Sequence, residues 1–210
     1  MGPKTLSARC RARPLEQPER KAVLLQTAIR VFARRGLGGA RHTEIAREAG
    51  VSVPTVFFYF PTREALVHDV LTEVAGFYED MTERIHSSDR PAPEVVLAGA
   101  RAFGDSVTTH PDYACILLEW STAIRSELWP LYLRFQERMV GIVADTIRRW
   151  RTLTGSNRLE DAENDARVIA STGYVLAQMK ITQVPQRKID RFLQTVLYDT
   201  LGVHDLRLVI

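Results

Sequence analysis

The chain is poor in cysteine. Its 210 residues hold two, Cys10 among arginines and Cys115 in an apolar run. Neither sits in a C-x-x-C or a Cys/His spacing, which excludes a disulfide framework and a thiolate metal site and fits a reducing cytoplasm. Hydrophobic runs are short as well. None approaches the roughly 20 residues of a membrane span, and the basic start, MGPKTLSARCRARPLEQPERK, lacks the apolar segment of a secretory signal. No stretch alternates apolar and polar residues between turn signals, so strands are not expected. Catalytic signatures are missing too: the five histidines lie in unlike surroundings without H-E-x-x-H, and no G-x-S-x-G occurs. His68 beside Asp69 reads as a solvated helix face. Glu119 and Glu127, about two helical turns apart, read as partners of Arg125 or other bases rather than as a carboxylate pair. No metal, cofactor or membrane partner is expected, and no enzyme.

What is present is ordinary in amount and uneven in placement. Hydrophobic residues make up 45% and charged residues 25%, the balance of a globular chain with a real core. Residues 1–60 carry 11 Lys+Arg against 4 Asp+Glu, while the remaining 150 carry 17 against 21. A basic first quarter on a slightly acidic body fits an end that meets a polyanion, or an exposed basic tail with no partner.

The apolar spacing is helical throughout. Residues 1–17 mix Arg, Pro, Gly and Ser and read as a disordered basic arm. From Pro18 the residues Leu24, Ala28, Val31 and Phe32 form one stripe that ends at Gly36. TEIAREAG reads as a short helix with Thr43 as its first-turn cap and Gly50 as its close. Ser52 caps a second short helix, VPTVFFYF, which Pro61 stops. Helix, a turn through AGVS and a second helix make a helix-turn-helix, and the N-terminal residues of the second helix can reach base edges in a major groove. Those residues are Ser52, Pro54, Thr55 and Phe58. Within the aromatic run FFYF, the helical spacing turns Phe57 and Phe60 inward with Val53 and Val56, and leaves Phe58 and Tyr59 outside. Tyr59 then offers its hydroxyl to a phosphate, and Phe58 an apolar ring to bases. Further helices follow over residues 62–85, 93–110, 113–128, 130–153, 160–182 and 187–201. The expected fold is all-α, with a helix-turn-helix domain over 18–62 and a larger helical domain over 63–210.

IAREAGVSVPTVFFYFPTREAL, after a helix ending VFARRG, resembles the DNA-binding domain of the TetR family of transcriptional regulators. FARRGLGGARHTEIA, VSVPTVFFYFPTREALVHDVL and EWSTAIRSELWPLYL are similar to one branch of it, the LuxR/HapR-type quorum-sensing master regulators, and the likeness runs nearly the whole length. The resemblance implies an all-helical homodimer that binds double-stranded operator DNA, with phosphate contacts from Arg41, Thr43, Tyr59 and Arg63. It also implies a basic arm that enters the minor groove, a role that falls here to Arg9, Arg11 and Arg13. The chain departs from the branch at Pro54, where a small residue is usual, and at Phe58, where the branch has an Asn.

A pocket inside the larger domain is implied as well, for a small hydrophobic ligand. Its candidate lining is Tyr78, Met81, Tyr113, Leu117, Trp120, Met139, Val143 and Tyr174, although aromatic and Met residues at helical spacing are usually plain core. The last two helices are expected to carry the dimer. Small Ala170 and Gly173 allow close helix approach, and Phe192, Val196 and Leu197 add apolar surface; an intramolecular core is the competing role. Function thus divides three ways: a DNA-binding regulator of the quorum-sensing kind, a TetR-type repressor answering to a small hydrophobic ligand outside quorum sensing, or a helical scaffold. A scaffold would explain the helices but not a basic arm joined to a helix-turn-helix.

Overall fold

The computed structural model describes residues 16–156, 158 and 160–202. Among them the chain forms α-helices and no strand: α1 (Gln17–Gly39), α2 (His42–Ala49), α3 (Val53–Tyr59), α4 (Arg63–His86), α5 (Ala92–Thr109), α6 (Pro111–Ser121), α7 (Trp129–Thr154), α8 (Ala162–Ile181) and α9 (Gln186–Leu201). Proline stands in the first turn of α1, α3, α5, α6 and α7. There its missing N–H costs nothing, and its fixed φ favours the helix start. No helix among the described residues is long and apolar enough to cross a membrane.

Two large apolar cores organise the molecule, beside a small third cluster of Val107, Ala114 and Ala177. The first joins α1, α2, α3 and the N-terminal half of α4, through Leu24, Phe32, Ile45, Val56, Phe60 and Leu71, and extends to Ile116 and Trp120 of α6 and Phe135 of α7. The second joins α5, α7, α8 and α9 through residues such as Leu97, Val143, Ile147, Leu176, Leu193 and Leu197. Helix α4 spans both regions. Its 24 residues cover about 36 Å at 1.5 Å per residue, from Leu66 and Val70 in the first core to His86, packed beside Gly99 of α5 and Thr146 of α7.

One ion pair ties the far end together. Arg151 of α7 is buried and donates through Nη2 to Asp165 of α8 (2.5 Å) and to the carbonyl of Thr200 in α9 (3.0 Å). Its Nη1 reaches the Arg158 carbonyl at 2.8 Å. A buried charge is tolerated only when paired and hydrogen-bonded in this way, so this guanidinium fixes where α7, α8 and α9 meet.

The structure corrects two local expectations. The residue before α2 is Arg41, with no side-chain cap, and Thr43 lies inside the first turn. The helix expected over 113–128 stops at Ser121. There the hydroxyls of Ser121 and Thr122 donate back to the carbonyls of Leu118 (2.7 Å) and Glu119 (2.9 Å), while Trp120 Nε1 donates to the Leu128 carbonyl at 3.1 Å. That last bond folds the segment back over α6 and delivers the chain to α7.

Candidate functional site

Helix α3 is short, and both of its ends are fastened. Gly50 closes α2 at φ 66, in the left-handed region. The N–H of Val51 reaches the Ala46 carbonyl at 3.0 Å, so the turn also satisfies a helix-end acceptor. Ser52 then caps α3: its Oγ accepts from the Thr55 N–H (3.3 Å) and lies 2.8 Å from the Thr55 hydroxyl. At the other end His42, buried in α2, meets the Phe60 carbonyl through Nε2 at 2.8 Å. A carbonyl only accepts, so the proton sits on Nε2. Val56 and Phe60 are fully buried beneath the helix.

The aromatic run therefore sorts differently from its helical spacing. Phe60 is core, as expected. Phe57, expected inside, is 46% exposed and stacks flat on the His42 ring, with centroids 4.2 Å apart and planes 4° apart. Phe58 is 67% exposed, and Tyr59 is half-buried, edge-on to Phe58 at 5.0 Å. Ser52, Pro54, Phe57 and Phe58 thus form the open surface of α3, with Thr55 half-covered by its bond to Ser52.

Charge around this surface is partly consumed within the protein. Arg30 and Arg34 of α1 both bond Glu48, and Arg35 pairs with Glu44 at 2.9 Å. The hydrogen bond from Arg34 holds the Glu48 carboxyl below its ordinary pKa. Arg41 and Arg47 are exposed and make no ion pair among the described residues, and Thr43 is exposed beside them. Arg47 was not singled out in the sequence, and Phe57 was assigned inward; an uncompensated cation two residues before the Ala49–Gly50 turn is the signal that would have found the first. Arg9, Arg11 and Arg13 lie outside the described residues.

Arg63 is exposed but already engaged. Its Nη2 donates to the Leu37 carbonyl at 2.5 Å. The N–H of the same Leu37 donates to Glu119 Oε1 of α6 at 2.8 Å. Just before it, Gly36 takes φ 77 and breaks the helical path of α1. A Cβ built on Gly36 would lie 3.0 Å from the same carboxylate oxygen, so the site needs glycine for both conformation and space. Near the other end of α6, Tyr113 accepts from Gln26 of α1 (2.9 Å) and donates to Glu73 of α4 (3.2 Å).

A cavity of about 560 Å³ lies among α4 to α9, within the range that holds small organic ligands, about 300–1,000 Å³. Tyr78, Met81, Leu117, Met139, Val143 and Tyr174 line it as expected from the sequence. Tyr113 and Trp120 do not: Tyr113 is drawn to Gln26 and Glu73, and Trp120 is fully buried in the first core with its indole on the Leu128 carbonyl. His86, Phe103, Leu118 and Gln136 join the lining unannounced. The residues expected at a dimer interface largely face their own protomer. Leu197 is buried in the second core, Phe192 packs against it, and Ala170, Gly173 and Val196 line the cavity. The open apolar side chains of α8 are instead Val168, Tyr174, Val175 and Ile181, with Tyr198 on α9.

An exposed, doubly anchored second helix on a bundle of this kind defines a helix-turn-helix protein. Residues 24–70 match the bacterial regulatory proteins of the tetR family. The chain is 39% identical to the HTH-type transcriptional regulator LuxR of Vibrio harveyi over 125 residues, which span 60% of this chain and 60% of LuxR. Among solved structures, a TetR-like transcriptional regulator from Rhodococcus sp. RHA1 superposes with a TM-score of 0.73 at 17% identity, covering 90% of this chain and 99% of that one. FadR from Bacillus subtilis, solved in complex with stearoyl-CoA, gives 0.70 at 18% identity over 87% and 99%. The chain carries the N-terminal domain of the TetR family and has the TetR fold.

Two outcomes follow from this geometry. Replacing Glu119 by Ala leaves the Leu37 N–H without its acceptor, at a cost of about 1 kcal/mol for a partly exposed charge-assisted bond. Amide exchange at Leu37 should accelerate well beyond that of Leu24 in the same helix, and Glu119→Gln should largely preserve it; unchanged Leu37 protection in the Ala variant would remove the coupling. The second concerns His86, whose burial, helped by the nearby Arg149 cation, pushes its pKa down to about 4. The unfolded chain then takes up this proton first, so the contribution of neutral His86 is complete above about pH 6.5 and is lost as pH falls toward 4. The span is about 3 kcal/mol. Denaturant midpoints of the His86→Leu variant should fall less steeply than the parent's across that window; parallel curves would contradict it.

Proposed function

We propose that the chain is a dimeric, sequence-specific DNA-binding transcriptional regulator of the quorum-sensing master regulator kind, acting in the cytoplasm as repressor or activator. The observation that carries this reading is α3, held at both ends by Ser52 and His42 while its outer face stays open. Such a helix costs little further ordering on entering a major groove. In this reading Ser52, Pro54, Thr55 and Phe58 meet base edges, and Arg41, Thr43, Tyr59 and Arg63 meet phosphates together with Arg47. Arg9, Arg11 and Arg13 follow the minor groove, whose narrow A·T-rich stretches attract cations. The name of the Vibrio harveyi relative, an HTH-type transcriptional regulator, supports the same activity here.

The exposed stripe on α8 supports the dimer. Val168 and Val175 recur at seven-residue spacing, as do Tyr174 and Ile181, so each pair returns to one helix face after two turns. A second copy would cover this surface. A second reading is favoured by the cavity: a TetR-type repressor whose small hydrophobic ligand, unrelated to quorum sensing, occupies that space.

Selection of bound fragments from genomic DNA, followed by sequencing, tests the regulator directly. One recurrent site should emerge, with affinity that falls steeply with salt as phosphate contacts release counterions. Phe58→Ala should cost about 1–3 kcal/mol on that site and much less on random DNA, because an apolar base contact carries sequence information and a phosphate contact does not. Equal losses on both, or no recurrent site, would defeat the assignment. Sedimentation should give twice the 23.8 kDa chain mass at micromolar concentration, and a monomer there would count against the dimer.

A further inference from the structure

Among the described residues the cavity lining is free of charge, with no Asp, Glu, Lys or Arg side chain. Arg149, beside His86, directs Nη2 at the His86 carbonyl (2.8 Å) and the Thr146 hydroxyl (3.4 Å). The hydroxyls of Ser121, Thr122 and Thr172 return their protons to the carbonyls of Leu118, Glu119 and Ile169 in their own helices. Gln136, Met139 and Val143 line the space along one face of α7, and Thr146, one turn further, holds His86. From Gln136 to Thr146 is ten residues, about 15 Å of helix. The cavity is therefore a largely apolar slot with a carboxamide toward one end, an imidazole at the other, and on its wall Tyr78, whose buried hydroxyl has no hydrogen-bond partner among the described residues.

That imidazole has one nitrogen taken and one open. His86 is only 5% exposed, yet it lines the cavity. Its Nδ1 lies 3.0 Å from Thr146 Oγ1, which also reaches the Ile142 carbonyl at 3.3 Å and accepts from Arg149. All three contacts are satisfied together when the Thr146 proton goes to Ile142 and Nδ1–H donates to the threonine oxygen. Nε2 is then a bare lone pair. It has no partner among the described residues and lies against Gly99, another lining residue, where an added Cβ would come within 3.2 Å of it. With its pKa near 4 the ring is neutral at physiological pH, so it offers an acceptor and no positive charge. An anion in the slot would lose its hydration with no countercharge in return from the described lining residues.

We propose that the slot binds an uncharged, elongated lipophilic molecule whose hydroxyl or amide N–H donates to His86 Nε2, and that it discriminates against the corresponding carboxylates. This rests on reading the cavity as an effector site. The donor end lies at His86 and the apolar body runs past Val143 and Met139 toward Gln136.

The test uses full-length protein and the neutral fluorophore N-phenyl-1-naphthylamine, displaced at pH 7.5 by 1-decanol, by 1-methoxynonane and by decanoate. Decanol should displace the probe at a concentration at least ten-fold below that of decanoate and roughly five-fold below that of the ether, which has no donor. His86→Leu should erase the preference for alcohol over ether while still binding the probe. Should that variant fail to fold, Gly99→Ala, which screens Nε2, should do the same. Met139→Trp, with Ala100→Phe as its alternative, should abolish probe binding without loss of the folded melting transition. Decanoate binding as well as decanol, an alcohol preference that survives at His86, or probe binding that survives a filled cavity would each overturn the proposal, as would no probe binding. Fragment selection on the same preparation separates the two claims: DNA binding without alcohol binding removes only the cavity reading, and the reverse removes only the regulator.

Discussion

The peptide of Leu37 is held from both sides, and the placement of the helix-turn-helix depends on that grip. Glu119 takes its N–H and Arg63 its C=O. One acceptor comes from α6 and one donor from the first residue of α4, so the last turn of α1 is fixed by elements outside the motif it serves. Gly36 permits the kink before it with a positive φ and leaves room for the carboxylate. Once this turn is set, His42 follows within five residues, and His42 in turn fixes the C-terminal end of α3 and the Phe57 ring. The orientation of the exposed helix is thus the last step in a chain of contacts that begins on α6.

Electrostatics follow the same frame. The basic first quarter looks, as a sequence, like one continuous cationic region. In the folded chain Glu44 and Glu48 neutralise the three arginines nearest them on α1, leaving the positive potential at Arg41 and Arg47, which flank the opening of α2 and its turn into α3. Focusing a few uncompensated cations beside an apolar face steers a polyanion more selectively than spreading them over a helix. Net charge in the sequence counts every arginine alike; pairing decides which of them a partner meets.

Much of the fold was legible in the sequence. The all-α class, the helix-turn-helix and the caps at Ser52 and Gly50 follow from local chemistry, because a helix start and a left-handed turn each demand particular residues at the junction. What failed was non-local. Phe57 has the spacing of a core residue, but it rests on a ring from α2 that no period within α3 reveals. Tyr113 and Trp120 carry the apolar bulk of a pocket wall, yet each has a polar atom with a distant partner: Gln26 and Glu73 for the phenol, Leu128 for the indole. Those hydrogen bonds, absent from any hydrophobic pattern, turned both side chains away. Glu119 failed in the opposite sense. It was expected to pair with a base such as Arg125, and its partner is a backbone amide 82 residues earlier.

Helix α6 connects the two halves of the molecule in a way that follows from its periodicity alone. Leu117, Leu118 and Ser121 face the cavity, while Glu119 points to Leu37 in the last turn of α1. Successive residues on a helix are about 100° apart, so one short helix can present the cavity wall and the grip on α1 on different faces. A rigid helix cannot displace one face without the other. Trp120, fully buried between them and bonded to Leu128, ties α6 to the segment that leads into α7. The Tyr113 hydroxyl, shared with Gln26 and Glu73, ties the start of the same helix to α1 and α4.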